Sequence, residues 1–298
     1  MWADALHCPA DAAFSALDAT VDRIVAAIAE GIEDAESRRA ALKPPSSLDA
    51  WEAYHRGLWH MYRFNGPDNH VAERFFRVAI ERDGTFARAH AGLSFTHFQN
   101  VFLGLTPDRE QQTALALSSA ESSLAADQRD PAVHWALGRA MWLRGAHEEC
   151  LSELELSVEL SPNFALGHYT LGFVHAQSGD PQTGIGAVER ARRLSPFDPL
   201  QFGMLASRAL AHIRLGEREE AVPWALKAVS RPNAHAHILA IGALSLALVG
   251  RREEGRALAA RIRSKQPSYE IEHLMRAFRF ARDAEQILRQ GAKQLDLG

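Results

Sequence analysis

Cysteine is almost missing from this chain: Cys8 and Cys150 are the two present in 298 residues. Two thiols cannot build a disulfide framework or a four-thiolate zinc site. A basic surplus is missing as well. Lys and Arg number 33 against 37 Asp and Glu, a net charge of −4, so no positive face for nucleic-acid phosphates is expected. Long apolar runs are also absent. The greasiest stretch, Ile238 to Val249, contains Ser245 and stops at Gly250-Arg251-Arg252, well short of the roughly 20 residues that cross a bilayer. It reads as a buried helix. Met1 to Phe14 holds no basic residue and no unbroken apolar run, so no signal peptide is expected. With 47% hydrophobic residues the chain is too apolar for disorder. The balance implies a soluble protein of a reducing, cytoplasmic compartment.

What the sequence does contain is a period. Gly145, Gly179, Gly216 and Gly250 punctuate helical patterns at spacings of 34, 37 and 34 residues. Pro162, Pro196, Pro232 and Pro267 each follow a helical segment, where a residue without an N–H ends the helix. Finer landmarks keep step. Leu137-Gly138, Cys150, Leu154 and Ser157 are answered by Leu171-Gly172, Gly184, Val188 and Ala191, then by Gly242-Ala243, Gly255, Ala259 and Ile262. Looser copies run through Gly57, Ala72, Phe76 and Ala79, through Leu93-Ser94, Ala116, Ala120 and Ser123, and through Ala209, Ala221, Ala225 and Ala228. The second of these carries an expected insertion near Gln99 to Asp108. Small residues recur where two helices must touch, with a bulky apolar residue beside them.

This pattern resembles the tetratricopeptide repeat, with its Leu-Gly pair, Ala, aromatic and final Pro. The resemblance implies an all-α, right-handed solenoid of about six helix pairs, in which neighbours stack to bury faces no pair can bury alone. The expected organisation is an N-terminal segment and capping helix over residues 1–44, six repeats over 45–267 and a helical cap over 268–298. Phe14, Leu17, Val21, Ile24 and Ile28 step by three and four along one stripe, flanked by Val25 and Ile32, and predict the N-terminal helix. Pro44-Pro45 ends it, and Ser46 or Ser47 is placed to cap the next. Ile271, Leu274, Met275, Phe278, Ile287 and Leu288 predict the C-terminal cap.

The ends carry a further resemblance, in Trp2-Ala3-Asp4, in Pro44-Pro45-Ser46-Ser47-Leu48-Asp49-Ala50-Trp51, in Tyr54 and Arg56-Gly57, and in Tyr269 with Arg276-Ala277-Phe278-Arg279-Phe280. These are similar to the repeat region of bacterial regulators in which an adenylate cyclase or winged-helix domain stands upstream. The resemblance implies a regulatory arm, either excised from such a protein or free-standing. No residue here matches a catalytic or DNA-reading position of the upstream modules.

Fourteen histidines invite a metal or acid–base reading. However, His90, His134 and His168 recur at one repeat position, and His60, His97, His175 and His212 at another. Recurrence points to helix packing. His235-Ala236-His237 offers two imidazoles without a third ligand at suitable spacing. Gly184-Ile185-Gly186 follows no strand and lacks a third glycine, so it is no phosphate loop. No Gly-x-Ser-x-Gly elbow occurs. No metal, cofactor or catalytic residue is expected.

In tetratricopeptide arrays the first helix of each pair lines the concave face. That geometry assigns Trp51, Tyr54, Leu58 and Tyr62, then Phe95 and Phe98, then Trp135, Arg139 and Trp142, then Tyr169 and Phe173 to one aromatic wall, with Met61 beside it. Such a wall suits a protein or peptide partner with apolar contacts. Arg88, Arg139 and Arg214 are too sparse for a clamp on an acidic tail. Two alternatives stand beside the open groove: a cap or insertion fills it and makes it core, or a small molecule binds between repeats. A homodimer through the Phe14–Ile28 stripe is a further alternative.

Overall fold

The computed structural model describes residues 13–295 and Leu297; Trp2-Ala3-Asp4 and Cys8 lie outside the described residues, as do the side chains of Phe14 and Leu17. Among the described residues there are fifteen α-helices and one short 3-10 turn, Pro45–Ser47. Helix α1 (Ala13–Leu42) leads into six antiparallel pairs. These are α2 (Ala50–Met61) with α3 (Gly66–Arg82), α4 (Ala87–Phe102) with α5 (Arg109–Ala126), and α6 (Pro131–Arg144) with α7 (His147–Leu160). Then follow α8 (Ala165–Gln177) with α9 (Pro181–Leu194), α10 (Gln201–Arg214) with α11 (Arg218–Val229), and α12 (Ala236–Leu248) with α13 (Arg252–Arg263). The short α14 (Ile271–Ala277) and α15 (Arg282–Lys293) complete the described chain.

Local chemistry fixes these boundaries. Gly145, Gly216 and Gly250 sit at φ of 83°, 81° and 81°, the left-handed region where a glycine ends a helix without steric cost. Asp49 caps α2 in a reciprocal box with Glu52, displacing Ser46 and Ser47 from the expected role. Asn65, Asp108, Asp130 and Asp180 accept from backbone N–H groups at the starts of α3, α5, α6 and α9.

The recurrent histidines do local work. His90, His134 and His168 each reach the carbonyl six residues earlier, of Gly84, Gln128 and Pro162, at 3.1, 2.9 and 3.0 Å. His60, His97 and His212 turn Nδ1 toward Asp68, Gln112 and Glu217 at or near the start of the next helix. His175 Nδ1 accepts from the Asp180 N–H.

Second helices bury one narrow stripe each. In α5 it is Ala116, Ala120 and Ser123; in α7 Cys150, Leu154 and Ser157; in α9 Gly184, Val188, Ala191 and Leu194. Burial among apolar neighbours pushes the Cys150 thiol up to about 12. Close approach depends on the small residues. A Cβ on Gly172 would stand 3.0 Å from the Gly184 carbonyl oxygen and would strike the Val188 side chain. Gly172→Leu should therefore lower unfolding free energy by about 1–3 kcal/mol or more; an unchanged denaturant midpoint would show the α8–α9 register to be wrong.

First helices differ. Helices α4, α10 and α12 are buried on almost every side, from Ala91 to Gln99 in α4 and from His237 to Leu248 in α12. An open solenoid would leave one face of each in water. Here the array closes on itself. Asn233, between α11 and α12, donates to the carbonyl of Tyr62 at 3.1 Å and to that of Pro199 at 2.8 Å. His237 of α12 meets the Phe102 carbonyl of α4 at 2.9 Å. Phe64, held at φ 51°, turns inward and packs on Phe202 with ring centroids 4.8 Å apart. A non-glycine residue in that region is strained and must be held there by its packing. The stretch expected as an insertion at Gln99 to Asp108 begins inside α4: Gln99 to Phe102 form its last turn, which carries Phe102 to the centre.

The C-terminal segment completes the closure. The Ala281 N–H donates to the Gln177 carbonyl at 3.0 Å, and the Arg279 N–H to the Gln177 side-chain oxygen at 3.1 Å. The Arg279 guanidinium bonds the Leu143 carbonyl. Arg214 bonds the Gly179 carbonyl at 2.8 Å and Asp283 at 3.1 Å, tying α15 to α10 and to the α8–α9 turn.

Candidate functional site

The residues assigned to the aromatic wall do come together, but inside the protein. Tyr54, Leu58, Phe95, Phe98, Trp135, Arg139, Trp142, Tyr169 and Phe173 retain only 2–7% of their surface exposure. Tyr62 is half-buried, and Trp51 keeps 43% exposure, its Nε1 donating to Glu36 of α1 at 3.1 Å. In the structure these residues are covered by other parts of the chain. The physical cause is the closure described above: Phe278 inserts between Phe102 and Phe173 at centroid distances of 5.0 and 5.8 Å. Phe102 in turn lies 6.3 Å from Trp142.

Four interior residues were not singled out for the site from the sequence: Phe64, Phe102, Phe202 and His235, whose rings meet in four pairs, three edge-on and one stacked, with centroids 4.8–5.9 Å apart. Phe278, expected as part of a cap, belongs with them. The available signal was the uniformly apolar α12, which reads as buried all round rather than as one wall of a groove.

Arg139 stands at the centre. Its guanidinium carbon lies 4.8 Å from the Phe98 centroid, 5.0 Å from Phe95, 5.4 Å from Phe173 and 5.5 Å from both Trp135 and Tyr169. A cation–π contact is worth about 0.5–1 kcal/mol in water and about 2 kcal/mol or more when desolvated. Burial lowers its pKa, partly offset by the neighbouring Tyr169 hydroxyl and Cys150. An arginine nevertheless stays charged. Its Nε finds no protein acceptor, and neither does His235 Nδ1. His237 is held neutral down to about 4 by burial, despite its bond to the Phe102 carbonyl. The two rings of His235 and His237 are 5.5 Å apart. Among the described residues no group of three His, Cys, Asp or Glu could hold a metal.

The outer face of α1 is the opposite environment. Val21, Ile24, Val25, Ile28 and Ile32 are 40–58% exposed. The other side of the helix is fixed to α2, with Ser37 and Ala40 buried and the Tyr62 hydroxyl donating to Glu33 at 3.3 Å. Among the described residues no helix is long and apolar enough to cross a membrane.

Six stacked pairs with small-residue seams define the architecture: this is a tetratricopeptide-repeat solenoid. Comparison with solved structures agrees. The chain superposes on the crystal structure of the APC/C hetero-tetramer Cut9-Hcn1 with a TM-score of 0.55 and 16% identity, covering 88% of this chain and 46% of that one. It superposes on a thermophilic TPR protein of Thermus thermophilus with a TM-score of 0.51 and 19% identity, covering 66% of this chain and 98% of that one. These likenesses establish the fold alone. No protein-family model matches the chain. In sequence it is 28% identical over 152 residues to the Rhizobium meliloti (strain 1021) protein named "Putative adenylate cyclase 3", a match covering 50% of this chain but only 25% of that protein.

Proposed function

We propose that this protein is a non-catalytic recognition scaffold, the regulatory arm of a bacterial signalling or transcription protein, that docks through the outer face of α1. The carrying observation is the exposed stripe of Val21, Ile24, Val25, Ile28 and Ile32 on a helix anchored by its other side. An apolar face of that extent left in water marks an interaction surface. With the concave interior filled by the chain itself, recognition moves to this rim, where half-exposed Trp51 adds an aromatic edge.

The occupant that suits the stripe is a second copy of α1. Phe14, Leu17, Val21, Ile24 and Ile28 follow the 3-4 spacing of a coiled-coil seam. Similarity to a quarter of a protein named as an adenylate cyclase supports the regulatory-arm part of this reading.

Light scattering tests it. The chain should associate in a concentration-dependent way, and the double variant Ile24→Glu/Ile28→Glu should be monomeric with an unchanged melting temperature. A wild-type chain that stays monomeric at every concentration would overturn self-pairing. Formation of cyclic AMP from ATP by the purified chain would overturn the non-catalytic reading.

A further inference from the structure

Between α4, α6, α8, α10 and the C-terminal segment lies an internal cavity of ≈ 20 Å³, whose lining includes Arg139, Tyr169, Ser207 and His235. The rest of its wall is aromatic or aliphatic, with Phe64, Phe98 and Phe278 among its members. That volume has room for a water-sized particle or a monatomic ion. Four polar residues lining so small a space are unusual in an otherwise apolar interior, where polar atoms ordinarily find partners in the protein.

The charge balance sharpens the point. Arg139 is buried, and the ionisable groups that act on it are Tyr169 and Cys150, neither of which is an anion near neutral pH. Asp198 acts on Tyr169 but is not among the groups that act on Arg139, and its carboxylate accepts from the Leu200 N–H at 2.7 Å. A buried cation calls for a counter-charge, and an arginine cannot shed its proton to avoid the requirement. Quadrupole attraction from five rings solvates the guanidinium, yet Nε, itself buried, keeps a donor with no acceptor in the protein. Arg139, Tyr169 and Ser207, each carrying a hydrogen-bond donor, line the same space, a set suited to an anion.

We propose that this cavity is a binding site for a small monovalent anion of the halide class, chloride in the cell, held by Arg139 at the centre of the closed solenoid. Its walls include Phe64, Phe102, Phe202 and Phe278, which the closing contacts draw together, so the anion binds the closed form and stabilises it by mass action.

The test is thermal unfolding of the full chain at constant ionic strength, with sodium chloride replaced stepwise by sodium gluconate, whose anion is too large to enter. The melting temperature should rise by about 2–4 °C for each tenfold increase in chloride above the dissociation constant. Bromide should substitute for chloride. Arg139→Met keeps the volume but removes the charge, and should erase the difference between the two salts. A wild-type melting temperature identical in chloride and gluconate would overturn the site, as would an Arg139→Met protein that keeps the chloride dependence. If that variant does not fold, crystals of the wild-type chain grown in bromide decide. An anomalous peak beside Arg139 supports the site; bromide seen only at the surface overturns it.

Discussion

Trp135→Ala should lower the unfolding free energy by about 3–5 kcal/mol, the loss associated with truncating a large aromatic in a filled core. The side chain is 4% exposed, its indole N–H donates to the Thr170 hydroxyl at 2.9 Å, and its ring lies 4.9 Å from Phe95 and 5.5 Å from the Arg139 guanidinium. Its removal takes away one wall of the aromatic cage, and the stacked helices on either side can collapse only partly into the space. Chemical denaturation of the two proteins measures the difference directly. A variant of near wild-type stability would mean that the wall is exposed in solution and that the closure is incomplete. Thr170 keeps its bond to the Leu166 carbonyl, so the loss would not be inflated by an orphaned hydroxyl.

Acid should open the same core. His237 is buried neutral, with its pKa brought down to about 4, and burial holds His235 well below its ordinary value. In the unfolded chain both take up protons near the usual value of about 6.5. From there down to about 4 the unfolded state binds more protons than the folded one, so stability is complete above the unfolded pKa and falls as pH drops. For His237 alone the loss approaches about 3 kcal/mol across that window. His55, lowered to about 4 mainly by desolvation, acts in the same direction. Asp198 acts in the opposite one, because burial raises its carboxyl to about 6 and its uptake of a proton favours the folded state below that point. Denaturant midpoints measured from pH 7 to pH 4.5 should therefore fall, and His237→Gln, which keeps a donor for the Phe102 carbonyl, should show a shallower slope. A profile identical in the two proteins would remove His237 from the account.

The repeats were legible because their determinants are local. A glycine that must enter the left-handed region, an aspartate that caps, and a small residue opposite a Val or Leu each act within one pair or between adjacent pairs. Hence Gly145, Gly216 and Gly250, the stripe of Cys150, Leu154 and Ser157, and the recurrent histidines could all be located by spacing. Closure could not be read in that way. It depends on the small rotation between successive pairs, summed over six of them, and no single residue encodes that sum. Phe102 was hidden in what read as an insertion, and Phe278 in what read as a cap. Phe64 adopts a backbone conformation that its residue type does not announce. The wall from Tyr54 to Phe173 was therefore assembled correctly as a set, while its environment depended on a segment more than a hundred residues away.

Most repeat arrays couple each unit only to its neighbours, so units can be lost, gained or frayed from an end at modest cost. The bonds from Asn233 to Tyr62, from His237 to Phe102 and from Arg279 to Leu143 span 171, 135 and 136 residues. They convert a linear chain of couplings into a circular one. Fraying of the terminal units then has to break these contacts as well, and removing or duplicating a 34-residue unit that lies between two partners would separate them. Unit number in this protein is then fixed by geometry as firmly as strand number is in a closed barrel. The high sequence separation of the closing contacts also makes the last step of folding slow, since the ends must find each other across a long loop.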